Sequence, residues 1–287
     1  MILAFGVLLA FAAMLCWAFG DFLIQRSTRH VGDVQALAVI GIVGSVGLLP
    51  FVIKDFALLN STSNIILLSS LGIIVFIDAI LNFEALKQGK LSIVEVILEI
   101  ELPVTVVLSF FFFKEYLSAL QLTIIACVFF GIILIATKSF HHWKTKFEKG
   151  VWIAFATALL MGVVNFMTAS SSKRISPLMA VWFPWVLFTI ITLVVISRRE
   201  GLADFGHNIK EFRWLLLMTG IVDTIAWVFY SYAVFKNPIS IITAITESYP
   251  AIAMFLGLWL NKETIKWHQY AGAGLAIAAS ILLSMTI

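Results

Sequence analysis

Apolar runs of about 20 residues recur along the whole chain and leave it little choice of fold. They can be laid out as residues 2–25, 34–53, 64–86, 91–113, 117–137, 150–172, 177–197, 213–235, 239–260 and 268–286. A run of that length crosses the hydrocarbon core of a bilayer as a helix, because a spanning helix satisfies its own backbone. Only 12% of the residues are charged and 61% are hydrophobic, whereas soluble domains are about a quarter charged. An ordinary cytosolic enzyme is excluded. The chain reads as an all-α integral membrane protein of ten transmembrane helices with the lipid bilayer as its partner. The longest connections, 138–149 and 198–212, are too small to be domains. Residues 1–19 carry no basic segment or small-residue cleavage site, so they read as the first span rather than a leader. The net charge of +3 is spread over short loops, so no nucleic acid is expected as a partner. Cys16 and Cys127 fall inside apolar runs and read as packing residues.

Eight acidic residues lie in these runs or at their edges: Asp21, Asp78, Glu84, Glu95, Glu99, Glu101, Asp223 and Glu247. All 19 Lys and Arg lie between the runs or at their ends. A carboxylate at bilayer depth is costly unless it is protonated, paired or wetted. With no basic residue inside the runs, these acids are expected to face a polar cavity, carry protons, or meet a cation from outside the chain. All three point to transport.

Shifting the sequence by 148 residues brings its two halves into register. Gly72 then meets Gly220, Ala85 meets Ala233, and Ser92-Ile93 meets Ser240-Ile241. Ile97 meets Ile245, Glu99 meets Glu247, Lys114-Glu115 meets Lys262-Glu263, and Gln121 meets Gln269. Apolar matches alone mean little between membrane helices, but polar matches at one constant offset mark an internal repeat. Each half, 1–140 and 150–287, holds five spans. An odd number makes the second half enter the membrane from the opposite side. The expected architecture is two inverted five-helix repeats.

The first, third, fifth, seventh and ninth connections carry 14 of the 19 Lys and Arg, and the others carry 5. The positive-inside rule puts the 14 in the cytoplasm and both termini outside. The expected location is the cell membrane of a prokaryote.

The chain resembles the drug/metabolite transporter superfamily, and within it the EamA-type permeases, over essentially its whole length. The resemblance is sharpest at the end of each half. One stretch runs from Pro103 through Lys114-Glu115 to Gln121 and Gly131; the other runs from Pro250 through Lys262-Glu263 to Gln269 and Gly272. Trp17-Ala-Phe-Gly20 looks like the family's Trp-Gly signature in its first helix. Lys114 and Lys262 stand where the family usually has Gly, and Glu95, Glu99 and Glu101 are unusual in its fourth helix. The family pattern usually places basic residues before the first helix; this chain has none there. The resemblance implies a helical transporter in which spans 5 and 10 buttress the rest. It does not choose the substrate, since the superfamily handles amino acids, sugars, nucleotide sugars and drugs.

Glu95 and Glu99 share one helix face, about 40° apart. An inverted repeat brings Glu99 and Glu247 toward the axis near the midplane, where such transporters bind substrate. Pro103 and Pro250 cannot donate to the carbonyls of residues 99 and 246. Each half thus offers a free carbonyl beside a carboxyl, a site for an ammonium-type cation, Na⁺ or H⁺. Glu101 points about 160° away from Glu99 and reads as part of another helix interface.

Asp78 and Asn82 share a face of the third span, and Asp223, Trp227 and Tyr230 form an i, i+4, i+7 stripe on the eighth. Both faces are candidate cavity walls, with aromatic rings able to cup an organic cation; hydrogen bonding between helices is the alternative. Under the shift Trp17 aligns with Asn165, so the first and sixth spans are expected to face each other. Asp21 and Glu84, near span ends, read as solvated or loop-pairing. Trp182 and Trp185, flanking Pro184, read as an interfacial belt and a kink. His141-His142 lacks neighbouring ligands for a metal, and no phosphate loop, zinc motif or nucleophile elbow occurs. No cofactor is expected.

The expected function is secondary active transport of a small organic metabolite, cationic or zwitterionic, by alternating access with H⁺ or Na⁺ as the coupling ion. One alternative is a proton-driven exporter of neutral amino acids or drugs that uses the acids for coupling. Another, from a different class, is a membrane enzyme with paired carboxylates as acid and base. With both repeats in one chain, a monomer is sufficient; a homodimer is the other option.

Overall fold

The computed structural model describes residues 2–88, 98, 100–136, 149–199, 201–249, 251–252 and 266–286, and among these every regular element is helical. The elements are α1 (Ile2–Val31), α2 (Asp33–Val52), a 3-10 segment (Ile53–Asn60), α3 (Thr62–Gln88), α4 (Glu101–Phe113) and α5 (Ala119–Ala136). After these come α6 (Lys149–Arg174), α7 (Pro177–Arg199), α8 (Leu202–Glu211), α9 (Arg213–Lys236), α10 (Ile239–Thr246) and α11 (Trp267–Ser284). Six of them, α1, α2, α3, α6, α7 and α9, are long and apolar enough to cross a membrane. α4 and α5 are shorter apolar helices. One helix was not expected: α8 lies within 198–212, where the sequence suggests only a connection. Phe205 is buried on one side of α8 and Asp204, His207 and Lys210 are exposed on the other, as in a helix that lies along the membrane surface.

The first turn of α1 and the last of α9 meet, since a Cβ at Gly6 would overlap the Asn237 side chain. Further along, Ser27 Oγ and Thr219 Oγ1 are 2.8 Å apart. The two helices are therefore antiparallel neighbours. Their exposed and buried faces separate cleanly on α1. Phe5, Leu8, Leu15 and Phe19 are exposed, while Ala10, Ala13, Met14 and Ala18 are buried. The first set faces lipid and the second faces protein.

The most extensive packing runs between early and late parts of the chain: α1 on α9, α2 on α7, α3 on α6 and α5 on α11. Lipid is as apolar as any side chain, so helices associate in it through close fit and small residues. On α2, a Cβ at Gly41 would overlap Thr189 and Phe188, and one at Gly44 would overlap Trp185. In the α5–α11 contact it is backbone that meets backbone. A Cβ on Gly131 would lie 2.8 Å from the Gly272 carbonyl, and one on Gly272 would lie 2.6 Å from the Gly131 carbonyl.

Gln121 and Gln269 tie this pair at both ends. The Gln121 carboxamide oxygen accepts from Ser118 N at 2.9 Å, closing the first turn of α5, and its amide reaches Thr286 Oγ1 at 3.3 Å. The Gln269 oxygen accepts from Lys266 N at 2.9 Å, and its amide donates to the Ile135 carbonyl at 2.7 Å. Each glutamine thus satisfies an orphan N–H at its own helix start and pins the end of the opposite helix.

The molecule has two unlike ends. Residues 114–118, 175–176 and 237–238 gather at one of them with the first and last described residues. Here Glu115 accepts from Ile239 N at 2.7 Å, Ser240 N at 3.0 Å and Ser240 Oγ at 2.9 Å, capping α10 from across the molecule. The Lys173 ammonium donates to the Asn237 carbonyl at 2.7 Å beside it. Preceding Glu115, Lys114 ends α4 in a left-handed conformation, φ 52°. At the other end stand Arg26, Arg29, Arg198, Arg199 and Arg213, together with α8.

Candidate functional site

Acids and aromatics meet where α1, α9 and α10 converge. Trp17 on α1 meets Trp227 with ring centroids 5.2 Å apart and Tyr230 at 5.6 Å, both on α9. Tyr249, just beyond α10, lies 6.5 Å from Trp17. Trp185 on α7 extends the cluster, 5.9 Å from Trp227. It is 3% exposed, so it is a core residue and not part of an interfacial belt. Trp182 likewise turns inward to donate to the Ser45 carbonyl at 2.9 Å.

Four carboxyl groups border these rings. Asp223 lies one turn before Trp227 and feels the charge of Asp21. Asp21 accepts a hydrogen bond from Tyr249 and feels the charge of Glu247. Glu247 is 2% exposed and shares a hydrogen bond with Glu101, which is 8% exposed. Among the described residues, no Lys or Arg pairs with Asp21, Asp223 or Glu247.

The position of Asp21 is informative. It is two residues past Phe19, about 200° around the helix and opposite the lipid-facing row. It shares the face of Trp17 and of buried Met14, yet it is exposed. Its carboxyl therefore lies on the protein-facing side of α1, where it meets Tyr249. Asp21 is exposed, as expected of a solvated span end, and it also contacts Tyr249 beside the rings.

Tyr230 is wholly buried and links three elements. Its hydroxyl is 2.9 Å from Thr243 Oγ1 on α10 and donates to the Asn165 carbonyl on α6 at 3.3 Å. α1 and α6, expected to face each other through Trp17 and Asn165, are thus bridged by Tyr230.

The second expected wall lies on α3, which packs on α6 and α7. Asp78 is 2% exposed, and its Oδ1 and the Oδ1 of Asn82 find no donor among the described residues. Asp78 and Asn82 share a face but not the α1–α9–α10 cluster. Glu95 and Glu99 lie outside the described residues.

Sequence reasoning passed over Asp21, Glu101, Trp185 and Tyr249 as members of the cluster. Asp21 carried a usable signal, being four residues from Trp17 and so on its face. Glu101, Trp185 and Tyr249 carried none, because their neighbours come from other helices. No group of three or more metal-ligating side chains occurs among the described residues.

The family model of the EamA-like transporter family matches the chain twice, at residues 4–137 and 148–285. An uncharacterized protein of Methanocaldococcus jannaschii is 32% identical over 143 residues, which are 48% of this chain and 98% of that protein. A solved crystal structure superposes with a TM-score of 0.78 at 14% identity, covering 98% of this chain and 96% of that one. That likeness shows the fold alone.

Proposed function

Because this chain belongs to the EamA-like transporter family, we propose that it is a secondary transporter moving a small organic amine by alternating access. Asp21 and Asp223 take the ammonium group, and Trp17, Trp227 and Tyr249 cup the carbon skeleton. The observation that carries this reading is the exposed, inward-facing Asp21 among aromatic rings and further acids. A cation arriving from outside relieves the repulsion among the acids and interacts favourably with the ring faces.

The coupling ion is H⁺, carried by the Glu101–Glu247 pair. A hydrogen bond between two carboxyl groups needs a proton on one of them, which suits the contact of Glu101 with Glu247 to carrying one. Glu99 and Glu95 belong to the same functional set by the repeat argument, and Asp78 with Asn82 forms the opposite wall.

The working architecture is ten helices in two inverted repeats, 1–140 and 150–287. Two observations support it: the family matches twice, and the Methanocaldococcus jannaschii relative spans about half of this chain. Packing supports it too. α1 meets α9 as α6 meets α3, the first long helix of one match against the third of the other. We place the arginine-rich end in the cytoplasm of a prokaryotic cell, which leaves the Glu115 end outside. A monomer suffices for the cycle.

A thermal-shift screen of the purified protein tests the reading. Wild type and Asp223→Asn are compared against amines, zwitterions, neutral metabolites and anions, since a ligand of the folded state raises Tm. Amines should stabilise the wild type and lose much of that effect in the variant. Stabilisation by neutral compounds only, kept in Asp223→Asn, would leave the acids with coupling alone and sink the amine assignment.

A further inference from the structure

At the arginine-rich end a cleft of about 430 Å³ lies between α1 and the start of α9, lined by Arg26, His30, Glu211, Phe212, Trp214 and Leu215. It is separate from the acid–aromatic cluster. Arg26 lies seven residues past Phe19, and Arg29 lies fourteen past Leu15, so each closes a row of exposed side chains on the outer face of α1. Trp214 is 66% exposed, and Leu217 and Met218 follow it on the exposed surface of α9. The cleft thus opens toward lipid, with apolar walls below it and charges at its rim. His30 stacks on Phe212 with centroids 4.6 Å apart, fixing the floor.

The rim carries both signs of charge, the Arg26 guanidinium and the Glu211 carboxylate. A guanidinium suits phosphate oxygens, and a carboxylate suits a primary ammonium that can donate to it. A group bearing phosphate and ammonium a few atoms apart, on two acyl chains, matches this rim and these walls.

We propose that the cleft is a binding site for an amine-bearing phospholipid of the phosphatidylethanolamine class. Arg26 and His30 hold the phosphate, Glu211 holds the ammonium, and the acyl chains run along Leu15, Phe19 and Met218. The exposed tryptophan sits at headgroup depth, as such residues do in membrane proteins. A bound lipid there bridges α1 and α9, the helices that carry Trp17, Asp21, Asp223 and Trp227.

Native mass spectrometry of the detergent-purified protein tests this. Phosphatidylethanolamine, phosphatidylglycerol and phosphatidylcholine of identical acyl chains are titrated separately. The wild type should retain the ethanolamine lipid at least fivefold more than either of the others. Arg26→Gln and Glu211→Gln should each remove that preference, and Arg199→Gln, at the same end but outside the cleft, should keep it. Equal retention of the three lipids, or a preference for the glycerol lipid, overturns the proposal. So does equal competition by water-soluble glycerophosphoethanolamine, which would make the cleft a solute site. The wild-type selectivity decides the matter even if a variant folds poorly.

Discussion

Two contacts between early and late helices, α1–α9 and α5–α11, solve the same packing problem in opposite ways. In α5–α11 the backbones approach through Gly131 and Gly272, with Ala273, Ala276 and Ala279 buried alongside. The two glutamines clamp its ends. In α1–α9 the space between backbones holds Trp17, Asp21, Asp223, Trp227 and Tyr230. The first arrangement maximises contact where no hydrophobic force drives helices together. The second leaves acids near one another with no basic partner among the described residues, which favours separation until a cation or protons arrive. One contact is made by backbones at glycines, and the other by acids and aromatic rings.

The sharpest break of this contrast is Asp223→Asn, which should lower amine uptake into proteoliposomes about 100-fold, on the order of 2.7 kcal/mol, while leaving Tm nearly unchanged. Uptake within threefold of wild type would make α1–α9 an ordinary packing surface. The converse change is Gly272→Val. Its new methyl groups would press on the Gly131 carbonyl and Leu134, so it should destabilise the protein by about 2 kcal/mol, as overpacking does. Its selectivity among amines should be unaltered; altered selectivity would tie α5–α11 to the site.

Smaller effects locate the boundary between the two kinds of contact. Glu115→Ala removes the cap of α10 and should cost about 1 kcal/mol. Amide exchange at Ile239 and Ser240 should quicken, and protection equal to wild type there would show that another group holds the helix start. Lys114→Gly relieves a left-handed residue and should stabilise by about 1 kcal/mol, read as a shift in the denaturation midpoint. Asp78→Asn, on the α3 wall away from the cluster, should change amine uptake less than threefold; a larger loss would extend the site across the molecule.

Much of this was legible in the sequence. The apolar runs show that the chain lives in a membrane, and six long spans are present where runs were expected. The i, i+4, i+7 spacing put Asp223, Trp227 and Tyr230 on one face of α9. The match of Gln121 with Gln269 flagged positions that had a shared duty, while Lys262 and Glu263, matched to Lys114 and Glu115, lie outside the described residues. For Gln121 and Gln269 that duty is to close and cross-link α5 and α11. The end of the 198–212 connection was misread because ten residues with one apolar face are too short to register as a span.

By itself the sequence determined that the protein is helical, that it lies in lipid, and that its acids lack basic partners within the runs. Periodicity fixes angles within one helix, and composition fixes its solvent. Neither says which helix stands opposite. The tertiary structure alone decided that Asp21 and Asp223 come near each other, that Glu101 meets Glu247, and that Trp185 joins the ring cluster. Each of these is a contact between residues far apart in the chain, set by close packing at glycines and by caps such as Glu115 on α10.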